Sequence, residues 1–344
     1  MAKTRIPVAV LGATGLVGQR LVARLAEHPW FELKVITASS AREGQTLGEA
    51  VIGREPVPLP ASVRGLVLAA TDGPEAATCD LVFSAVDAQT ARNREPELAA
   101  AGCVVVSNAR AHRLSPLVPL VVPEVNPDHL DRMPTRGGTI VCNPNCAAIG
   151  IALAVKPLAD AFGLRAIHAV TYQAISGAGN QGVQGGDIHR NVIPHIAAEE
   201  PQIEAELPRI LGRPGRPLEI PVGTTATRVD VADGHLACIS LGLVADTDES
   251  EILDVWSCFR GEPQQLELPS APRFPLVVVE DPYHPQPLLH RDLEGGMTAT
   301  VGRLRRCPIV GWKFVTLSHN VERGAAGGSI LLAELVVSRR GYST

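Results

Sequence analysis

Cys146 occupies a position in the sequence that favours nucleophilic catalysis. It follows a short apolar run and an Asn-Pro pair in the stretch IVCNPNCAAIG, residues 140–150, and it precedes residues typical of a helix. Backbone N–H groups and the helix dipole at such a helix N-terminus favour the reactive thiolate. The same N–H groups can stabilise a developing oxyanion, and Asn145 could add a side-chain donor. The alternative is a buried structural cysteine, which is the expectation for Cys142 in the apolar run.

A glycine-rich turn near the N-terminus predicts a dinucleotide-binding site. The segment GATGLVG follows a strand-like apolar run and carries Gly12, Gly15 and Gly18 at the beginning of a helical pattern. Glycines in this context let the backbone approach a pyrophosphate, which then lies at the helix N-terminus. A plain connecting turn is the alternative. The predicted cofactor contacts in this turn are Gly12, Thr14, Gly15, Leu16 and Val17.

The end of the second predicted strand indicates which dinucleotide binds. NAD enzymes usually have an acidic residue there, which binds the ribose 2′-hydroxyl. Here the strand-like run FELKVITA is followed by Ser39, Ser40 and Arg42, and no acidic residue comes before Glu43. Two hydroxyls and a guanidinium suit a 2′-phosphate, so we predict NADP as the cofactor. The alternative is that Arg42 is a solvated loop arginine.

A nicotinamide cofactor combined with a cysteine nucleophile points to one class of reaction. The thiolate adds to an aldehyde, hydride transfer gives a thioester, and phosphate, water or a thiol resolves that thioester. Such chemistry uses an acid/base group, most often histidine near neutral pH. The sequence contains ten histidines, and composition alone does not select one of them.

The pattern of strands and helices predicted around these residues indicates an α/β protein of two domains. Strand-like runs alternate with helical patterns in the first part of the chain, which is typical of a Rossmann-like, doubly wound parallel sheet. From about residue 147 the chain is richer in long strand-like runs, so we predict an α+β second domain with a largely antiparallel sheet. The predicted first domain covers residues 1–138 and a C-terminal helix at about 321–344, and the second domain covers residues 139–320.

Composition argues against several classes of function. A chain of 344 residues is too long for one ordinary hydrophobic core. Its content of 45% hydrophobic and 19% charged residues is typical of a folded protein. The net charge is −5 without a basic cluster, so we expect no nucleic-acid or anionic-membrane partner. We also expect no signal peptide and no membrane span, which would require about 18 consecutive apolar residues. The seven cysteines form no CxxC pair, so we predict no disulfide framework, no metal site and a cytoplasmic location.

Several longer stretches resemble the aspartate-semialdehyde dehydrogenase family, in particular its archaeal and fungal branch. The resemblance runs from end to end and is carried by GATGLVGQ, SNARAHRLSPLVPLVVPEVNPDHL, NPNCAAIG, YQAISGAGNQG, TRVDVADGH, GMTATVGRLR and SHNVERGAAGGS. It implies NADP-dependent reduction of L-aspartyl 4-phosphate to L-aspartate 4-semialdehyde through a thioester on Cys146. It also implies phosphate as a small-molecule partner, a catalytic and dimerisation role for the second domain, and a homodimer or tetramer.

The resemblance further implies roles for individual residues. Cys146 resembles the nucleophile, Gln173 the residue that orients the substrate, and His235 the acid/base. Arg228 resembles the arginine that pairs with the substrate carboxylate, a task that suits a guanidinium. The remaining implied substrate contacts are Arg113 for phosphate, Glu199 or Glu200 for the amine, and Asn108. The remaining implied cofactor contacts are Ser84, Ser176, Gly177 and Asn320, the last at the nicotinamide end.

The sequence departs from the family pattern at the predicted phosphate site. Gln202 stands where the family has a lysine, and Thr227 and Leu236 differ from the usual neighbours of the substrate arginine and of the histidine. Either another cation such as Arg209 binds phosphate, or the acyl acceptor is not phosphate. A reductase of a related acyl phosphate or acyl-CoA, similar to archaeal malonyl-CoA reductase, is therefore an alternative. A non-catalytic paralogue is a second alternative. The joint presence of Cys146, Gln173, Arg228 and His235 argues against it.

Overall fold

A computed structural model of the protein describes residues 5–52 and 58–341, without the side chains of Asn180 and Gln181. The strands in these ranges are β1 (Ile6–Leu11), β2 (Phe31–Ala38), β3 (Leu68–Ala70), β4 (Leu81–Ser84), β5 (Val104–Ser107), β6 (Thr139–Cys142), β7 (Leu164–Gln173), β8 (Val192–Ile193), β9 (Val222–Val229), β10 (His235–Leu243), β11 (Leu276–Val279), β12 (Ala299–Cys307) and β13 (Gly311–Ser318). The α-helices are α1 (Leu16–Leu25), α2 (Leu47–Ala50), α3 (Ala61–Arg64), α4 (Ala88–Ala100), α5 (Cys146–Phe162), α6 (Glu199–Leu211), α7 (Glu249–Cys258), α8 (Glu262–Gln265), α9 (Pro287–His290) and α10 (Gly327–Arg339).

The first compact unit consists of the described residues within Met1–Val121, His129–Asn143 and Ala325–Thr344. Its sheet has the strand order β3-β2-β1-β4-β5-β6, and every neighbouring pair is parallel. The strand order reverses between β1 and β4, the place at which doubly wound sheets bind ligands beyond the carboxyl ends of the strands. This unit has the predicted Rossmann-like, doubly wound architecture.

The second unit contains Val122–Asp128 and Pro144–Gly324. Its sheet has the order β11-β12-β13-β10-β7-β9-β8, in which β7–β9 and β11–β12 are parallel and the other neighbours are antiparallel. The sheet is therefore largely antiparallel, as predicted. Along β7, buried Ala169 and Thr171 alternate with exposed His168 and Tyr172, so one face of the sheet is covered and the other is open in this chain.

Helix α5 crosses the covered face of the second sheet. Its residues are buried from Ala147 to Val155 without interruption, and it contacts β7, β10, β12 and β13. A helix that is apolar on all sides belongs in a core. The nucleophile predicted from the sequence is the first residue of this buried helix, so its position is fixed by the packing of the whole element. No helix among the described residues is both long and apolar enough to cross a membrane.

The boundary between the units differs in detail from residues 138/139. The segment Thr139–Cys142 is β6, which pairs in parallel with β5 and therefore belongs to the first sheet. The change of unit follows Asn143 instead. The short segment Val122–Asp128 belongs to the second unit, and the C-terminal return to the first unit begins at Ala325. The predicted outer ends of the first domain, residues 1–4 and 342–344, lie outside the described residues.

Candidate active site

Asn145 is the N-cap residue of helix α5. Its side-chain Oδ1 accepts hydrogen bonds from the N–H groups of Ala147 and Ala148, at 2.8 and 3.1 Å. This is the standard N-cap interaction, which satisfies N–H groups that have no partner inside the helix. Cys146 follows the cap and is half-buried. The helix thus begins at the cysteine, as the sequence predicts.

Helix α6 fixes this cap with two carboxylates. Glu206 Oε2 accepts a hydrogen bond from the backbone N–H of Asn145 at 2.6 Å, and Glu199 Oε1 accepts one from its Nδ2 at 2.9 Å. Glu199 Oε1 also accepts a hydrogen bond from Gln173 Nε2 at 2.9 Å. The predicted amine-binding carboxylate and substrate-orienting amide are therefore in direct contact. The Asn145 amide, predicted as an oxyanion donor, is bonded to Glu199 in this structure.

His235 is held in one neutral tautomer. Its Nδ1 accepts a hydrogen bond from the backbone N–H of Ala174 at 3.1 Å, which places the ring proton on Nε2. Nε2 is buried and has no hydrogen-bond partner among the described residues. Burial lowers the pKa of His235 to about 3, and the electrostatic effects of Arg228 and His319 act in the same direction. The ring therefore presents an N–H donor at neutral pH.

Arg228 lies beside this histidine. Its guanidinium is buried and Nη1 donates a hydrogen bond to the carbonyl oxygen of Ala174 at 2.7 Å. Burial lowers the pKa of Arg228, whereas the negative charges of Cys146 and Glu199 raise it. The backbone of Gly177 packs against both side chains, because a Cβ there would lie 2.6 Å from Arg228 Nη1 and 3.0 Å from the ring of His235.

The ends of adjacent strands bring these residues together. Gln173 pairs with Arg228 in the β7–β9 ladder, and His235 pairs with Ser318 in the β10–β13 ladder. Cys146 approaches from α5 and lines a small cavity together with His235 and Ser318. The second unit therefore gathers a thiol, a neutral imidazole N–H, a guanidinium and a carboxylate in one place, which suits nucleophilic attack on an acyl group of an amino acid.

Asn320 and Ser176 lie next to this group. Asn320 Oδ1 accepts a hydrogen bond from the N–H of Gly234 at 2.8 Å, and its Nδ2 donates one to Ser176 Oγ at 2.9 Å. Gly234 directly precedes His235. The predicted cofactor contacts of the second unit, Ser176, Gly177 and Asn320, therefore lie next to His235.

The glycine turn of the first unit has the tight geometry predicted for it. Gly12 has φ +76°, and a Cβ there would lie 2.7 Å from the carbonyl oxygen of Ala85. A Cβ on Gly18 would lie 2.1 Å from the carbonyl oxygen of Gly12. Both positions thus require glycine. Thr14, Gly15, Leu16 and Val17 form the turn and the first residues of α1, and no acidic side chain lies in the first turn of that helix.

The predicted ribose-phosphate residues follow β2. Ser39 and Ser40 are exposed, and Ser40–Arg42 forms a single 3₁₀ turn. Arg42 is half-buried, and its Nη1 donates a hydrogen bond to the carbonyl oxygen of Ala50. That bond fixes the side chain in this structure and leaves the guanidinium with further donors.

Asn108 and Arg113 belong to a polar network at the carboxyl ends of β4 and β5. The Arg113 guanidinium donates from Nη2 to the carbonyl oxygen of Asn108 at 2.8 Å. The side-chain oxygen of Asn108 accepts hydrogen bonds from Asn143 Nδ2 and Ser329 Oγ, at 3.2 and 2.8 Å. Ser84 ends β4 and its carbonyl oxygen accepts from the backbone N–H of Asn108 at 2.9 Å. Asn108 therefore positions Arg113 by its carbonyl group.

Two further residues of helix α6 are bonded to backbone groups outside the cysteine group. Glu200 Oε1 accepts a hydrogen bond from the backbone N–H of Ala226 at 2.9 Å, so its carboxylate supports β9. Of the two predicted glutamates, only Glu199 joins Gln173 and the Asn145 cap. Gln202 is half-buried, and its Nε2 donates to the carbonyl oxygen of Ala198 at 2.9 Å.

The sequence did not single out Glu206 or His319, which help to build this site. Glu206 is buried, and its carboxylate reaches the cap across the fold. His319 lies within the stretch SHNVERGAAGGS, which was a signal for the region but not for this side chain. Within residues 5–52 and 58–341, no cluster of three or more histidine, cysteine or acidic side chains could hold a metal ion.

Comparisons with known proteins identify relatives of this chain. The family profile described as semialdehyde dehydrogenase, NAD binding domain, matches residues 7–133, and the dimerisation-domain profile matches residues 155–323. The chain is 42% identical to aspartate-semialdehyde dehydrogenase of Methanothermobacter thermautotrophicus, covering 96% of this chain and 99% of the relative. It is also 42% identical to the Archaeoglobus fulgidus protein of the same name, over 98% and 99%. The crystal structure of the Candida albicans enzyme with NADP superposes with a TM-score of 0.88 at 35% identity, covering 98% of this chain and 99% of that chain.

Proposed function

Because the chain belongs to the semialdehyde dehydrogenase family, we propose that it is an NADP-dependent, phosphorylating aspartate-semialdehyde dehydrogenase. It reduces L-aspartyl 4-phosphate to L-aspartate 4-semialdehyde. The observation that carries this proposal is the arrangement of half-buried Cys146 at a capped helix N-terminus with neutral His235, Arg228 and Glu199. The proposed location is the cytoplasm, in agreement with seven free cysteines.

The first unit is the proposed NADP-binding domain. The turn around Gly12 and Gly18 leaves no room for side chains, so backbone N–H groups at the start of α1 are open to a pyrophosphate. Exposed Ser39 and Ser40 together with Arg42 are the proposed ligands of the 2′-phosphate. When bound, NADPH would supply the hydride in the reductive direction, and NADP⁺ would accept it in the oxidative direction.

Cys146 begins the proposed reaction. The Cys146 thiol gives up its proton and its sulfur attacks the acyl carbon of the aspartyl phosphate. The acyl C–O bond to phosphate breaks as the thioester forms, and phosphate leaves with the proton that the thiol released. Arg228 binds the α-carboxylate, Glu199 binds the ammonium group, and Gln173 holds Glu199 in place at 2.9 Å. Fixing both charged ends of the substrate aligns the acyl carbon with the sulfur, which lowers the entropic part of the barrier.

His235 assists by donating a hydrogen bond from Nε2. Both the attack of the thiolate and the reduction of the thioester place negative charge on the acyl oxygen. The buried Nε2–H is a fixed donor for such an oxyanion, and it requires no reorganisation because Ala174 holds Nδ1. The resemblance implies acid/base catalysis by this residue. The tautomer favours the donor role in the resting enzyme.

Phosphate is the proposed acyl acceptor in the oxidative direction, with Arg113 as its ligand. Gln202 offers no positive charge and is bonded to the carbonyl oxygen of Ala198. This observation favours a second candidate, in which the acceptor is a thiol such as coenzyme A. The second candidate changes the leaving group and keeps the cofactor, the nucleophile and the fold.

The second unit is the proposed catalytic and dimerisation domain. Its sheet has one face covered by α5 and another on which His168 and Tyr172 are exposed. A large sheet normally covers both faces, either within the chain or with a second copy. We propose a homodimer formed through this open face, or a tetramer built from such dimers.

An initial-rate assay tests the proposal. The purified protein is mixed with L-aspartate 4-semialdehyde and NADP, and NADPH formation is followed at 340 nm with phosphate, with coenzyme A or with neither. Stimulation by phosphate is expected. Stimulation by coenzyme A alone would replace the proposed reaction with the second candidate, and no NADPH formation under any condition would argue for a different aldehyde or a non-catalytic paralogue.

A further inference from the structure

A π-helical turn, Glu322–Ala326, connects the end of the second unit to helix α10. Turns of this kind occur frequently at functional sites. Gly324 in this turn packs against the nucleophile, because a Cβ on Gly324 would lie 2.6 Å from Cβ of Cys146 and 3.1 Å from its Cα. Gly324 therefore lies against Cys146 and limits the orientations that the cysteine side chain can adopt.

A buried ion pair anchors the residue next to this glycine. Arg323 Nη1 donates to Glu124 Oε1 at 2.9 Å, and Arg323 Nη2 donates to Glu124 Oε2. The side chains are 1% and 0% exposed. Glu124 comes from the short segment 122–128 of the same unit. A bidentate guanidinium–carboxylate pair fixes direction as well as distance, so it defines where the turn lies.

His319 fixes the other end of the turn. Its Nδ1 accepts hydrogen bonds from the backbone N–H groups of Val321 and Glu322, at 3.2 and 3.3 Å. Its carbonyl oxygen accepts one from the N–H of Gly324 at 2.9 Å. The segment between the two anchors is only a few residues long. Gly324 thus has little freedom to move away from Cys146.

Stability alone is a weak reason for an ion pair at this depth. Removing two charges from water is costly, and replacing a buried pair by apolar residues of similar size is often neutral or stabilising. What apolar side chains do not provide is the fixed direction of the guanidinium fork. The pair lies directly beside the residue that contacts the nucleophile, which is where a fixed direction has a catalytic consequence.

We propose that Arg323 and Glu124 are positioning residues for Cys146. The ion pair holds Gly324 against the cysteine and so keeps the sulfur directed at the acyl carbon. The inference rests on the proposed role of Cys146 as nucleophile and assigns no substrate contact to either charged residue. It predicts that removing the ion pair changes the orientation of the Cys146 thiol while the protein stays folded.

The test is the double variant Glu124→Leu/Arg323→Met, which removes both charges and fills similar volume. We expect a melting temperature close to that of the wild type, little change in KM, and a fall in kcat of about a hundredfold, the effect of a misplaced reacting group. We also expect slower alkylation of Cys146 by iodoacetamide and an altered pH profile of that alkylation, measured on the Cys146 peptide by mass spectrometry. The matched control, Asp131→Leu/Arg339→Met, removes an exposed ion pair of the first unit and should change neither quantity.

A second variant keeps the inference falsifiable if the double variant does not fold. Gly324→Ala retains the ion pair and adds a methyl group against Cys146, so it should also lower kcat and change the alkylation profile. A folded double variant, or Gly324→Ala, with wild-type kcat and alkylation would overturn the inference. Alkylation of Cys146 requires no substrate. An inactive wild-type protein would therefore count against the proposed reaction, and the alkylation rates of the variants would still test the positioning role.

Discussion

The glycine turn of the first unit and the cysteine group of the second unit form their sites in opposite ways. The turn uses backbone groups that lie within residues 12–18, and Gly12 and Gly18 in it have no room for a Cβ. The cysteine group uses side chains spread over residues 146–235, brought together by α5, α6, β7, β9 and β10. The first kind of site depends on local conformation, and the second depends on the packing of the whole unit.

The difference has an energetic counterpart. Ser39 and Ser40 are exposed and are available to a ligand without loss of protein contacts. His235 and Arg228 are buried, and burial lowers the pKa of each. Buried polar groups are costly unless they are hydrogen-bonded. Substitutions in the second unit should therefore affect catalysis strongly, and those in the first unit should affect cofactor affinity moderately.

Cys146→Ala should have the largest effect and should separate the two sites most sharply. We expect kcat to fall by at least about a thousandfold, as on loss of a catalytic nucleophile. NADPH affinity, measured by fluorescence titration, should stay unchanged because Cys146 is not among the predicted cofactor contacts. Cys258→Ala, the same substitution at an exposed cysteine, is the control. Turnover of Cys146→Ala above about a tenth of the wild type would contradict the thioester mechanism.

Substitution of His235 should have the next largest effect and should test its role as a donor. His235→Ala should lower kcat by about 10²–10³-fold, the usual loss on removing an oxyanion donor. His235→Gln keeps an N–H donor and should retain more activity than His235→Ala. Equal loss of activity in both variants would favour the acid/base role instead.

The low pKa of His235 also predicts the pH dependence of stability. The folded state has a pKa of about 3, below the ordinary value for histidine, so the unfolded state binds the proton first as the pH falls. The contribution of His235 to stability should therefore be complete above about pH 6.5 and be lost progressively toward pH 3. Urea unfolding between pH 4 and 8 should show this decline, and His235→Gln should reduce it. An unchanged slope in that variant would show that the histidine is not held neutral.

Arg42→Ala should have a smaller effect, confined to the cofactor. Loss of a charged contact to phosphate is worth roughly 1.5–3 kcal/mol, so KM for NADPH should rise by about ten- to a hundredfold. KM for NADH should change much less, since NADH has no 2′-phosphate, and it serves as the internal control. A wild-type preference for NADH would disprove the assignment of Ser39, Ser40 and Arg42.

Gln202→Lys should have the smallest effect and should act on phosphate alone. A new charge-assisted contact of ~1.5 kcal/mol would lower the KM for phosphate by about tenfold in the oxidative assay. Gln202→Met, which adds no charge, is the matched control. If the lysine leaves phosphate use unchanged and coenzyme A stimulates NADPH formation, the acceptor is a thiol.

The features that were predicted from the sequence depend on neighbouring residues. The fold class, the family and the NADP cofactor are confirmed by the comparisons and by the two sheets. The turn at Gly12 and the beginning of α5 at Cys146 have local causes, namely missing side chains and an N-cap, and both are visible in a few letters of sequence. The residue roles in the site stay predictions until the variants are measured.

The sequence by itself determined the alternation of strands and helices in the first domain, the glycine turn and the position of the cysteine at a helix start, because those depend on contacts between near neighbours. Only the tertiary structure decided that Thr139–Cys142 joins the first sheet, that Glu199 rather than Glu200 reaches Gln173, and that Ala174 fixes the tautomer of His235. It alone placed Glu124 against Arg323 across the second unit. Each of these outcomes depends on partners far apart in the chain, whose pairing is set by strand register and core packing, and neither leaves a local signal in the sequence.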